Sequence, residues 1–140
     1  FVPTESSWWT MTDEARSATL RVRVVAARNL RAADRRTKSS DPYAVVKAFG
    51  ATKKTKFLNK TLAPVWNAEF EFRCRHYTPF KDELRVELWD KDTITLDDPL
   101  GNVVLHLEQL DLEASADAWH PLSGADNVTG EVHLVIDFDA

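Results

Sequence analysis

The stretch Thr19-Leu20-Arg21-Val22-Arg23-Val24 alternates strictly, with Leu20, Val22 and Val24 on one side of an extended chain and Arg21 and Arg23 on the other. A period of two residues marks a strand with one dry and one wet face, because successive side chains leave the pleat on opposite sides. The same period returns in Phe70 and Phe72 between Glu69, Glu71 and Arg73, in Leu84, Val86 and Leu88 between Glu83, Arg85 and Glu87, and in Val132, Leu134, Ile136 and Phe138. Shorter strands fit residues 42–49, 52–58, 101–107 and 118–122, and residues 107–114 allow one brief helix. Eight strands set apart by Asp, Pro, Ser and Asn clusters predict an all-β fold, an eight-stranded antiparallel β-sandwich.

Composition agrees with that reading. The 140 residues suit one domain, and 44% hydrophobic with 29% charged residues excludes a disordered chain. No apolar run approaches the roughly 18 residues of a membrane-spanning helix. A single cysteine, Cys74, excludes an internal disulfide and a structural zinc site, and points to a reducing, cytoplasmic setting. Cys74 and His76 share a strand face, but no third group is placed to orient them, so the chain does not read as an enzyme. Four glycines leave no phosphate-cradling loop, and the modest positive charge comes without a recognition motif for nucleic acid. Residues 1–17 have no clean period; Thr12-Asp13-Glu14-Ala15 after Trp8 and Trp9 could cap a helical turn. They are expected to form a partly helical N-terminal extension ahead of a sandwich at residues 18–140. The start at Phe1, without a signal segment, reads as a piece of a larger protein.

Charge is unevenly divided: residues 1–70 carry a net +7 and residues 71–140 a net −11. Carboxylates concentrate in two predicted loops. One holds Asp34 and Asp41 within residues 33–43; the other holds Asp90, Asp92, Asp97 and Asp98 within residues 90–101. Hard oxygen donors without histidine or thiolate partners are what Ca²⁺ selects, since it takes six to eight oxygens in a tolerant geometry. An EF-hand is excluded: counted from Asp90, Thr95 falls where its turn glycine belongs and Gly101 where its bidentate glutamate belongs. Two loops converging on the same ions is the better geometry. The plainer alternative is a set of turn aspartates that bind nothing.

Three stretches, in order, resemble the C2 domain, a calcium-dependent phospholipid-binding β-sandwich. They are Ser40-Asp41-Pro42-Tyr43, then Lys60-Thr61-Leu62-Ala63-Pro64-Val65-Trp66-Asn67, then Leu88-Trp89-Asp90-Lys91-Asp92 through Asp97-Asp98-Pro99-Leu100-Gly101. The resemblance covers about residues 18–140. It implies that Asp34 and Asp41 belong to a first calcium loop and Asp90, Asp92 and Asp98 to a third, with Asp97 as an extra carboxylate. Trp119-His120-Pro121-Leu122 followed by Gly130-Glu131-Val132-His133-Leu134 is similar to the closing strand of the family's permuted topology, type II. Two departures stand out. Arg35, Arg36, Thr37 and Lys38 fill a loop that commonly holds a glycine, and Pro99 stands where an apolar or aromatic residue is usual.

The implied function is calcium-dependent binding of anionic phospholipid, bringing a larger parent protein to the membrane surface from the cytoplasm. Ionised carboxylates in one pocket repel, by about 4 kcal/mol for a pair 4 Å apart at an effective dielectric near 20. Calcium would relieve that repulsion and leave positions for headgroup oxygens. Ile94 and Leu96 at the third loop are expected to enter the interfacial layer, unless they pack on neighbouring loops. Lys47, Lys53, Lys54 and Lys56 form a basic group, with Lys54 and Lys56 on one strand face; in similar domains such a face binds phosphoinositides. The same lysines could instead protect an edge strand. Arg35 and Arg36 either touch anionic lipid or partly neutralise the acidic pocket. Two other readings remain open: a calcium-independent module binding a protein or phosphoinositide, and the regulatory part of an enzyme whose catalytic domain lies elsewhere.

Overall fold

A computed structural model describes residues 17–78, 81–113 and 115–140, with only the backbone described at 111–113. The expectation for residues 1–17 therefore falls almost wholly outside the described residues. Eight strands and one helix follow in the order β1 (Ala18–Arg28), β2 (Pro42–Ala48), β3 (Ala51–Lys54), β4 (Val65–Cys74), β5 (Glu83–Asp90), β6 (Asp98–His106), α1 (Leu107–Glu113), β7 (Ser115–Pro121) and β8 (Glu131–Asp139). They form two antiparallel four-stranded sheets, ordered β4-β1-β8-β7 and β3-β2-β5-β6. The last strand of the chain lies between β1 and β7, which is the permuted arrangement expected from the closing residues.

The alternating residues face one another across the sandwich. Leu20, Val22 and Val24 of β1, Ala44 and Val46 of β2, Leu84, Val86 and Leu88 of β5, and Val132, Leu134 and Ile136 of β8 are fully or almost fully buried. A full burial of this kind contributes roughly 1.5–3 kcal/mol per large aliphatic side chain. A bulge between Val24 and Ala26 shifts the register against both β4 and β8. The extra residue flips the parity of the strand. Ala27 consequently turns inward.

The β2–β3 hairpin corrects one expectation. Pairing was expected to run to residue 58, yet β3 ends at Lys54. The Thr55 amide still donates to the Ala44 carbonyl at 2.9 Å, but the Thr55 hydroxyl takes the Ala44 N–H, also at 2.9 Å. It thereby replaces the carbonyl that would have continued the ladder. Lys56 lies past the strand, so Lys54 and Lys56 do not share a strand face. β6 and β7 begin three residues earlier than expected, at Asp98 and Ser115.

Three connections, 29–41, 91–97 and 122–130, gather at one end, because Arg28 pairs with Glu131, Pro121 with Glu131, Pro42 with Asp90, and Asp90 with Asp98. Gly101 fastens the root of the third loop there. At its φ of +131°, an added Cβ would lie 2.8 Å from Val128 Cγ2 and 2.9 Å from Leu122 Cβ. Its neighbour Asn102 exchanges two backbone hydrogen bonds with Ser123, at 2.8 and 3.0 Å. Gly101→Ala should therefore destabilise the fold by roughly 2 kcal/mol, through overpacking and backbone strain. Urea unfolding reads this directly, and an unchanged midpoint would mean that the corner yields.

Candidate metal and lipid site

Strand register brings the carboxylates together. Asp41 immediately precedes β2, whose Pro42 is opposite Asp90, and Asp90 is opposite Asp98 on β6. The Asp41 amide donates to Asp90 Oδ1 at 2.7 Å, and the Lys91 amide donates to the Asp41 carbonyl at 2.9 Å. Asp41 Oδ1 accepts the Lys60 amide at 2.7 Å, tying in the connection between β3 and β4. Asp90 is only 6% exposed. Burial pushes its carboxyl above the ordinary aspartate range; the Asp41 N–H opposes this, and the charges of Asp41, Asp98 and Asp92 add to it.

The other two predicted ligands are turned toward their own loops. Asp34 Oδ1 accepts the Arg36 amide at 2.9 Å, and that hydrogen bond holds its carboxyl low, helped by Thr37 and the Arg36 charge. The first loop takes up its length as a small hairpin, with paired bonds between Asp34 and Ser39 and with Lys38 at a φ of 52°. Lys38 thus adopts a conformation that glycine takes without strain. Asp92 accepts the Thr95 hydroxyl at 2.6 Å and the Ile94 amide at 2.9 Å, and both contacts, with the Thr95 amide, lower its carboxyl. Among the described residues no three His, Cys, Asp or Glu side chains stand close enough to hold a metal ion as they are. The charges of Asp41, Asp98 and Asp92 nevertheless all act on the Asp90 carboxyl, and carboxylate oxygens are the donors that a hard cation takes.

The strain at Asp90 has a measurable consequence. Its carboxyl binds a proton more tightly in the folded chain than in the unfolded one, so ionising it at neutral pH costs stability. Asp90→Asn keeps an acceptor for the Asp41 amide and removes the charge. Its melting temperature at neutral pH, without divalent ions, should exceed that of the wild type by about 2–4 °C. The difference should shrink as pH falls through the raised Asp90 value and vanish below the ordinary aspartate range. Equal melting temperatures at neutral pH would show that the rim stores no repulsion.

The basic group separates into distinct environments. Lys47 pairs with Glu87 at 3.1 Å on the outer face of its sheet. Lys53 turns the other way, donating to the Glu71 carbonyl at 2.6 Å with its ammonium 5.0 Å from the Phe72 ring. Lys54 and Lys56 line one groove with Tyr43, Phe57, Lys91 and Asp97. Tyr43, Phe57 and Lys91 carry no local signal of this groove, although Lys91 stands between Asp90 and Asp92 in the chain. In that groove the Tyr43 hydroxyl donates to Asp97 Oδ2 at 2.5 Å, and Lys91 Nζ lies 3.9 Å from the same oxygen. Burial, and then the Asp97 contact, push the Tyr43 phenol up to about 12. Arg35 and Arg36 are exposed on the first loop. Ile94 and Leu96 are 92% and 89% exposed, so neither packs on a neighbouring loop. Among the described residues no helix is long and apolar enough to cross a membrane.

Comparison with known proteins agrees with this arrangement. The family model described as C2 domain matches residues 18–122. The chain is 35% identical over 108 residues to human Ras GTPase-activating protein 4, covering 77% of this chain and 13% of that protein. It is 37% identical over 99 residues to extended synaptotagmin-3 of Xenopus tropicalis, covering 71% of this chain and 11% of that protein. Among solved structures, the calcium-bound pair of C2 domains from extended synaptotagmin 2 superposes with a TM-score of 0.77 at 28% identity, covering 86% of this chain and 45% of that one. The chain thus spans only a small part of the two curated relatives and less than half of the solved pair. A sandwich of this strand order, with aspartates from two loops meeting at one end and a family match across most of its length, belongs to the C2 domain family.

Proposed function

We propose that this domain binds anionic phospholipid membranes when calcium is present and so brings a larger protein to the bilayer from the cytoplasm. The observation that carries the reading is the buried Asp90, whose carboxyl is pushed up by burial and by three neighbouring aspartates drawn from both loops. Asp41, Asp90, Asp92 and Asp98 would hold the ion, with Asp34 joining from the first loop. A bound calcium ion supplies positive charge and open positions for headgroup oxygens. The chain's own residues do the rest: Ile94 and Leu96 enter the interfacial layer, and Arg35, Arg36, Lys54 and Lys56 offer positive charge to acidic lipid, at about 1 kcal/mol per cation near the surface. Lys47 and Lys53 are already engaged within the fold and contribute less. No catalytic role is part of this reading.

Sedimentation with phosphatidylserine vesicles, in calcium and in chelator, tests the proposal. Pelleting in calcium alone is expected; equal pelleting in both would contradict it. A calcium-independent module is the second reading, favoured by the self-contained bonding of Asp34 and Asp92 within their loops. Chelator-resistant binding to a protein or a phosphoinositide would support that alternative.

A further inference from the structure

Thr37 stands in the first loop between Arg36 and Lys38, with Arg35 one residue further back, and all four residues are exposed. Paired backbone bonds between Asp34 and Ser39 fold residues 35–38 into a turn, so the Thr37 hydroxyl stands on a turn rather than within a strand. It is the one accessible hydroxyl between residues 29 and 41. Ser39 and Ser40 are only 8% and 1% exposed, and the Ser40 hydroxyl is spent on the Arg31 carbonyl at 2.8 Å. Thr37 Oγ1 meets the Ser39 hydroxyl at 2.6 Å. Arg35, Arg36 and Lys38 close no salt bridge with a described residue. Residues 34–38 thus hold three cations and one carboxylate, a net charge of +2, around a free hydroxyl.

We infer that Thr37 is a phosphorylation site for a kinase that selects basic residues on both sides of its acceptor, and that the phosphate withdraws the first loop from acidic lipid. Kinases discriminate substrates by charge pattern, and Arg35, Arg36 and Lys38 supply a positive one. In the transfer, Thr37 Oγ1 forms a bond to the γ-phosphorus of a magnesium-bound nucleoside triphosphate. Its proton passes to the kinase's aspartate, and the bond from that phosphorus to the bridging oxygen breaks, releasing the diphosphate. The product carries a charge of about −1.5 to −2 and three acceptor oxygens. It cancels most or all of the +2 of residues 34–38 and engages the neighbouring arginines, which are then lost to headgroups. Losing that much charge at the surface should weaken binding to anionic vesicles about ten- to thirtyfold. Calcium affinity in solution should not fall, because an anion added at this end of the domain attracts a divalent cation. The site stands on the loop alone; its effect rests on the membrane-binding reading.

The whole chain is treated with magnesium ATP and the catalytic fragment of protein kinase C, and the modified residue is located by mass spectrometry. Phosphate at Thr37 is expected, kept at that position by Thr37→Ser and lost in Thr37→Val; no phosphate at Thr37 overturns the proposal. Treated and untreated protein are then sedimented with phosphatidylserine vesicles in calcium, and titrated with calcium by calorimetry without lipid. Thr37→Val taken through the same treatment controls for phosphate elsewhere. The expected result is weaker pelleting of the phosphorylated domain, with calcium affinity undiminished and pelleting of the treated Thr37→Val variant unchanged. Unchanged pelleting of the phosphorylated domain, or an equal loss in treated Thr37→Val, overturns the proposal. So does a matching loss of calcium affinity, which would mean a damaged loop rather than a recharged one. Failure of the untreated domain to pellet in calcium contradicts the membrane-binding reading, whereas the mass spectrum at position 37 depends on no vesicle.

Discussion

Replacing Asp41 and Asp92 together by asparagine is expected to abolish calcium-dependent vesicle pelleting while the fold survives. The two residues come from different loops, so the pair removes charge from both sides of the rim. Asparagine keeps an oxygen for the Lys60 amide at position 41 and for the Ile94 and Thr95 groups at position 92, so the loop hydrogen bonds persist. Each substitution removes one negative charge and one of the two carboxylate oxygens, and the affinity for calcium should drop by about two orders of magnitude or more. Vesicle pelleting at micromolar calcium measures the loss, with a melting curve to confirm folding. Wild-type pelleting by this variant would remove both aspartates from the site.

Ile94→Ser with Leu96→Ser is expected to weaken vesicle binding by about tenfold, by a different route. Both side chains are almost entirely exposed, so serine costs the fold little and calcium binding in solution should persist. Each would contribute roughly 1.5–3 kcal/mol if fully buried in the bilayer interface. A single decade in affinity corresponds to about 1.4 kcal/mol. Even half of the smaller value at each position gives a loss of about tenfold in the vesicle partition coefficient. An unchanged coefficient would place these residues outside the membrane contact and leave charge alone to hold the domain there.

The strands were legible because a two-residue period is local. Leu20, Val22 and Val24 or Leu84, Val86 and Leu88 announce their inward face without knowledge of any partner. Strand ends were less legible, because they depend on single side chains. The Thr55 hydroxyl stops β3 by capturing the Ala44 amide, and nothing in the composition of residues 52–58 announces that event. The acidic residues were found as a set, since each sits beside a strand end that the alternation defines. Their present hydrogen bonds were not, and in Asp34 and Asp92 those bonds turn the carboxylate toward its own loop.

The lysines illustrate the remaining limit. Lys47, Lys53, Lys54 and Lys56 look equivalent along the chain, yet Glu87 and the Glu71 carbonyl claim the first two from 40 and 18 residues away. Asp97, an extra carboxylate in the sequence, proves to lie among the groups that remain. Pairings across a sandwich are long-range, and no local pattern predicts which cation will be left free.

Calorimetric titration of the domain with calcium, in the absence of lipid, tests the cation site most directly. Saturable heat that disappears in the Asp41→Asn, Asp92→Asn double variant is the expected result. A flat titration of the folded wild-type domain at millimolar calcium would contradict the claim that these two loops form a cation site.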